Sequence, residues 1–281
     1  MITHPDKILF PADGITKGEL AAYYASVAPV IIPHLRNRPV TMERFPAGIG
    51  ESGFLQKNVV KGFPKWLERA AAAKKDGTVH YALINDDRSL EWMANQNTIT
   101  PHVWTSRAPR LHHPDLCVFD LDPAKDEPDV LRAAALGVRD LLKKRGLESW
   151  IKTSGSKGFH IVVPLDGKQR FGEVARFAHG IGRELVEGDP DHLTQEFSKA
   201  DRGGRILVDT GRNGYGATFA APYAVRARDG APVSAPCTWQ EVERGKVGPQ
   251  TFTLRTMAAR LAKVGDLWAD LYKNFSPRGT R

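Results

Sequence analysis

The chain has 281 residues, 41% of them hydrophobic, with 40 Lys+Arg against 32 Asp+Glu and a formal net charge of +8. That is apolar content for a substantial core in one large domain or two joined ones, and a basic balance that suits a polyanionic partner such as nucleic acid. Two cysteines without a CxxC spacing, Cys117 and Cys237, leave no readable zinc knuckle and argue against a disulfide framework. No apolar run approaches the ~20 residues of a membrane span.

The first segment, Met1–Lys7, has no apolar signal core, so the expected setting is a reducing cytoplasm without membrane contact. Thr16 followed by Glu19 is a capping-box pattern, and Leu20, Tyr23, Tyr24, Val27 and Val30–Ile31 recur at helical spacing. A helix is predicted over Thr16–Leu35. Strands are predicted over Pro39–Phe45 and Val79–Ile84, and a helix over Asp87–Asn97. An apolar strand leads to Asp120 and Asp122 and stops at Pro123. A helix over Pro128–Lys144 ends before Gly146. Two strands, Trp150–Thr153 and Phe159–Pro164, flank a Ser-Gly-Ser-Lys-Gly loop, and a helix follows over Phe171–Glu187. Arg205–Asp209 reads as a short strand, Ala217–Tyr223 as an apolar segment and Gln250–Leu271 as a helical tail. Mixed strands and helices imply an α/β or α+β fold.

The chemistry centres on Asp120 and Asp122. Residues i and i+2 of a strand share a face, so the two carboxylates project side by side and ask for a cation. Hard oxygen donors suit Mg²⁺ or Mn²⁺. Asp-X-Asp is also short enough to be a solvated turn or a helix cap. Asp209 ends its strand in the same way, either as a third carboxylate or as a turn residue before Thr210-Gly211. Three carboxylates on neighbouring strands would hold two divalent ions, one acting on the attacking hydroxyl and one on the triphosphate and leaving group. The loop holding Ser154 and Lys157, with His160 after it, would cradle phosphate, or is a plain hairpin turn with a structural histidine. Arg212 and Arg226 either offer guanidinium forks to phosphate oxygens or lie on a solvated face, and His102, upstream of the aspartates, either meets the metal site or nucleotide or is structural. Lys7, Lys17, Arg44, Lys57 and Lys61, near Phe54 and Phe63, interleave basic and aromatic residues, a pattern of low specificity that suits phosphate contacts plus base stacking.

The ordered set Asp6–Pro11, Gly14–Lys17, Arg38-Pro39, Gly53-Phe54, Gln56-Lys57, His102–Trp104, Phe119–Pro123, Thr153–His160, Val208-Asp209, Arg212 and Ala221–Tyr223 through Arg226 resembles the polymerase domain of bacterial ligase D, within the archaeo-eukaryotic primase superfamily. The resemblance covers almost the whole chain. It implies an α+β primase-polymerase core with an RRM-like antiparallel sheet flanked by helices. The expected organisation is one domain over 1–281, with an N-terminal DNA-end-binding module over about 1–100 packed on a catalytic core over about 101–281. It implies template-directed addition of nucleotides, preferentially ribonucleotides, to DNA 3′ ends and gaps in non-homologous end joining. The cofactors would be two Mn²⁺ or Mg²⁺ ions and the substrates NTP or dNTP.

By the same resemblance Asp120, Asp122 and Asp209 would bind metal and catalyse. His102, Ser154, Lys157, His160, Arg212 and Arg226 would surround the nucleotide. Lys7 and Lys17 would hold the 5′-phosphate of a gap or end, and Arg44, Phe54 and Lys57 would meet DNA, Phe54 stacking near the templating base. The expected partners are 5′-phosphorylated gaps or double-strand ends, a Ku protein and an ATP-dependent DNA ligase, at the bacterial nucleoid. Leu55 replaces the second aromatic of some members, Thr210 stands where an aromatic is frequent, and Glu43 stands where some members are basic. The chain leaves no room for ligase or nuclease modules, so it reads as a stand-alone polymerase or an excised domain. Two rival readings use the same residues: a metal-dependent phosphodiesterase or nuclease, and an inactive end-bridging protein.

Overall fold

The computed structural model describes residues 1–273; residues 274–281 of the expected core lie outside them. In chain order the first elements are β1 (Ile8–Phe10), β2 (Ile15–Thr16), α1 (Lys17–Leu35), β3 (Val40–Arg44), β4 (Phe54–Gln56), β5 (Arg69–Lys74), β6 (Gly77–Ala82), α2 (Asp87–Asn95) and β7 (Thr98–Trp104). Then come β8 (Leu116–Asp122), α3 (Pro128–Lys144), β9 (Trp150–Thr153), β10 (Phe159–Pro164), α4 (Phe171–Gly188), β11 (Leu193–Thr194) and β12 (Ile206–Asp209). The last are β13 (Thr218–Ala220), β14 (Pro236–Cys237), α5 (Trp239–Glu243) and α6 (Met257–Val264).

The chain folds as two compact units. The first contains Met1–Leu111, Thr218–Ala235 and Phe252–Gly265; the second contains His112–Ala217, Pro236–Thr251 and the segment from Asp266. Each is built on an antiparallel sheet with helices beside it, so the architecture is mixed α+β, as expected. Among the described residues no helix is long and apolar enough to cross a membrane.

In the first unit the strands run β13-β7-β3-β6-β5, with β4 on β3. The capping box forms as read: the Thr16 hydroxyl accepts from Glu19 N–H, and the Glu19 carboxylate accepts from Thr16 N–H. The stripe behind it, Leu20, Tyr24, Val27 and Ile31, is fully buried. Sequence reading passed over β5, whose Arg-Ala-Ala-Ala-Ala-Lys run has strong helix propensity. Pairing with β6 overrides that propensity, because Ala70 and Ala72 alternate into the core and Gly77, at φ +115°, closes the hairpin. It also passed over β7, where Pro101 argues against an inner strand. The Pro101 carbonyl accepts from Ala221 N–H, so its missing N–H faces the edge where β13 has already ended.

In the second unit the order is β11-β12-β8-β10-β9-β14, antiparallel except for β11 against β12. Helices α3 and α4 pack on each other and on this sheet. Strand β8 lies inside it. Its Leu116 and Val118 face is buried and opens to solvent only at Asp120 and Asp122. The predicted tail helix over Gln250–Leu271 is corrected to Met257–Val264. Turns anchored by Gly248–Thr251 and Thr253–Thr256, together with the Pro232–Thr253 bridge, occupy the backbone before it. Gly265 at φ +67° ends it.

Candidate active site

One register line across the second unit's sheet assembles the polar groups. Asp120 on β8 stands opposite Asp209 on β12 and opposite His160 on β10, and His160 stands opposite Lys152 on β9. Cross-strand partners share a face, so this row of four crosses four strands, with Asp122 two residues further along β8. His160 Nε2 lies 3.2 Å from Asp120 Oδ1, and Lys152 Nζ lies 2.7 Å from His160 Nδ1.

Arg212 spans the two facing carboxylates, its Nε 3.1 Å from Asp120 Oδ2 and 3.3 Å from Asp209 Oδ2. The 3₁₀ turn that carries it, Gly211–Asn213, is pinned from both sides. Asn213 copies a strand's hydrogen-bonding edge: its Oδ1 accepts from Val118 N–H at 2.8 Å and its Nδ2 donates to Val118 O at 2.7 Å. Gly211 N–H donates to Asp209 Oδ1 at 2.7 Å. On the other side Arg202 donates to Asp122 Oδ2 at 3.0 Å while its remaining N–H groups hold the carbonyls of Glu196 and Phe197.

These neighbours split the carboxylates electrostatically. Burial pushes Asp120 up, but the adjacent His160 and Arg212 hold it well below the usual carboxylate range. Asp209 moves the other way: burial raises it, and Asp120 and Asp122 add to the rise against the opposing pull of Arg212. Burial pulls the Arg212 guanidinium down, yet Asp120 and Asp209 leave it raised overall.

Three carboxylates crowded on one face, one of them held with a raised pKa, match the donor chemistry of a hard divalent cation. Among the described residues, no three His, Cys, Asp or Glu side chains converge on one point as a preformed cage. Arg212 draws oxygens of Asp120 and Asp209, and Arg202 draws one of Asp122.

The phosphate-loop candidate begins where β9 ends. Ser154 Oγ accepts from Ser156 N–H and Gly158 N–H, and Gly155 sits at φ +64°, so the loop is a tight turn organised around one hydroxyl. Gly158 presses against β8: a Cβ there would lie 1.7 Å from Leu121 O. Pro249 O accepts from Gly155 N–H and Gln250 donates to Ser156 O, bracing the loop from outside. Lys157 is exposed and lines a cleft with Lys125, Ser156 and Gln250.

The remaining predicted residues belong to the first unit. His102 Nε2 lies 3.1 Å from Glu43 Oε2, and the positive charge of Arg226 acts on the same carboxylate, so β3 and β7 gather a His102–Glu43–Arg226 group. Lys17 is buried and donates to Thr3 Oγ1 at 3.2 Å; Lys7 is exposed but close enough to help burial lower the Lys17 pKa. Arg44 binds Gln56 and Gln96 and stacks its guanidinium 5.3 Å from the Phe54 ring, which is 47% exposed. Leu55 and Lys57 are exposed.

Sequence reading missed Lys152, Arg202, Asn213 and the Glu43–His102 pairing. Lys152 alone left a trace, a cation in an otherwise apolar strand eight residues before a histidine. The others depend on pairing between distant segments.

Carboxylates rise from an antiparallel sheet beside a Gly-Ser-Lys turn, and the chain is of the primase-polymerase class. The chain belongs to the LigD primase-polymerase domain family, whose model ("LigD, primase-polymerase domain") matches residues 16–268. It is 37% identical over 275 residues to the multifunctional non-homologous end joining protein LigD of Mycolicibacterium smegmatis, covering 96% of this chain and 36% of that protein. It is 30% identical over 274 residues to the bifunctional LigD of Bacillus subtilis, covering 97% of this chain and 44% of that protein. The chain thus spans less than half the length of these relatives. The solved polymerase domain of Mycobacterium tuberculosis ligase D, in complex with DNA, superposes with a TM-score of 0.92 at 34% identity, covering 98% of each chain.

Proposed function

We propose that this domain extends DNA 3′ ends by template-directed nucleotidyl transfer at gaps and double-strand ends during non-homologous end joining. The observation that supports this reading most is the register line Asp209–Asp120–His160 with Asp122 beside it, on a sheet whose β9–β10 connection is a Gly-rich loop that carries Lys157. Asp120, Asp122 and Asp209 would hold two divalent ions, Mn²⁺ or Mg²⁺. When bound, these supply Lewis-acid activation of the primer hydroxyl and charge neutralisation of the triphosphate. Lys157 and Arg212 bind the triphosphate oxygens, and Ser154 keeps the loop in shape. The Nε2 edge of His160 orients Asp120. His102 and Arg226 are further nucleotide contacts. Lys7 and Lys17 take a 5′-phosphate, and Arg44, Phe54 and Lys57 take the DNA, with Phe54 stacking on a base. The substrates are nucleoside triphosphates, with ribonucleotides preferred. The partners are a Ku-type end-binding protein and an ATP-dependent DNA ligase, at the nucleoid.

The decisive experiment is extension of a labelled primer on a gapped, 5′-phosphorylated duplex, with NTP or dNTP, in Mg²⁺ and then Mn²⁺. Growth of the primer that disappears in an Asp120→Ala/Asp122→Ala protein of unchanged fold supports the reading. Shortening identifies a nuclease, binding without incorporation identifies a bridging module, and undiminished growth by the double variant removes the aspartates from the mechanism.

A further inference from the structure

We infer that Lys152 is a positioning residue for His160, and through it for Asp120. The inference rests on the role given to His160 and Asp120 above. Lys152 is fully buried, 0% exposed, although it carries the longest cationic stem among the groups of this sheet face. Its cross-strand partners on the same face, His160 and Pro236, are buried as well, so the site is one that an apolar side chain would fill at lower cost. Removing an ammonium from water is expensive, and it persists where its hydrogen bonds do something an apolar group cannot.

What Lys152 does is visible in the register. β9 places it directly opposite His160 on β10, and Nζ lies 2.7 Å from Nδ1. The other ring nitrogen, Nε2, lies 3.2 Å from Asp120 Oδ1 on the next strand. An ammonium has donors and no acceptor. Nδ1 therefore accepts, and the ring hydrogen resides on Nε2, directed at a carboxylate oxygen. Two hydrogen bonds at opposite corners of an imidazole fix both its plane and its tautomer, as outer partners do for metal-bound and catalytic histidines. Without the Lys152 bond the ring can turn over or carry its hydrogen on Nδ1, and in either case Asp120 loses its donor. The role assigned to the lysine is to act through His160.

The test is a double-mutant cycle in primer extension, with Lys152→Met, His160→Ala and the two combined, each checked by thermal melting and by DNA binding. Lys152→Met keeps the length of the side chain and removes its donors. We expect it to lower kcat about tenfold, with DNA affinity unchanged, and the double variant to be no slower than His160→Ala alone. Wild-type kcat in Lys152→Met, or losses that multiply in the double variant, overturn the inference while leaving the role of His160 intact. Full activity in His160→Ala removes the role of His160 and the inference with it. Should Lys152→Met fail to fold, nitrogen-15 NMR of histidine-labelled unaltered protein decides. An unprotonated Nδ1 with a protonated Nε2 on His160 is expected; a hydrogen on Nδ1 overturns the proposal.

Discussion

Asp120 and Asp209 face each other in register on adjacent antiparallel strands, and one Arg212 nitrogen lies within 3.1 and 3.3 Å of their carboxylates. Their ionisations nevertheless move in opposite directions. Asp120 is lowered from its usual 3.8, so its ionised form stabilises the fold above that pH, and this contribution is lost as pH falls through the lowered value. Asp209 is raised from 3.8, so its stabilising form is the protonated one, present below 3.8 and lost as pH rises through the raised value. In metal-free protein at neutral pH, Asp120→Asn should therefore lower Tm and Asp209→Asn should raise it. Below the usual carboxylate range the Asp120→Asn deficit should shrink. Melting curves from about pH 3 to pH 7 check both signs; equal shifts of the two variants would reject the electrostatic split.

Gly158 lies where the loop between β9 and β10 meets β8. Added bulk there has nowhere to go, because the obstacle at 1.7 Å is the backbone oxygen of Leu121 and not a movable side chain. Gly158→Ala should destabilise the domain by about 3 kcal/mol or more, at the upper end of overpacking costs. Chemical denaturation measures this, and an unchanged midpoint would show that the loop does not press on the strand.

Arg202 is a buried fork with three separate targets: the Asp122 carboxylate and the carbonyls of Glu196 and Phe197. Arg202→Ala should raise amide exchange across 195–204 while leaving the protection of α3 and α4 unchanged. Arg202→Lys should recover little, since one ammonium cannot reproduce a planar fork. Exchange read by mass spectrometry decides, and unaltered rates in that segment would refute the anchoring role.

Lys17 is held below the usual 10.5 for a lysine, first by burial and then by Lys7. If it binds a 5′-phosphate, the preference for a phosphorylated gap should weaken with rising pH before ordinary lysines lose their charge. Lys17→Met should abolish both the preference and its pH dependence. Binding ratios for phosphorylated and unphosphorylated gaps, at one salt concentration, provide the measurement. A preference independent of Lys17 would move the phosphate site elsewhere.

The parts of this protein legible in its sequence are those governed by local periodicity and capping. The helix after Thr16 and the helix Pro128–Lys144 follow from caps, apolar spacing and a stop signal within one segment. The pairing of Asp120 with Asp122 follows from the strand period of two. Intrinsic propensity misled at Arg69–Lys74 and hid β7, because there strand pairing outweighs what single residues prefer. Residue types alone likewise pointed to Asp209, His160 and Arg212 as site candidates, since their chemistry is carried by each side chain. What only the tertiary structure decided is which of these groups touch. Register across β12, β8, β10 and β9 sets Asp209, Asp120, His160 and Lys152 in one line, and Arg202 reaches Asp122 across 80 residues of chain. Such contacts depend on backbone hydrogen bonds between distant segments, and no local pattern of side chains encodes that register.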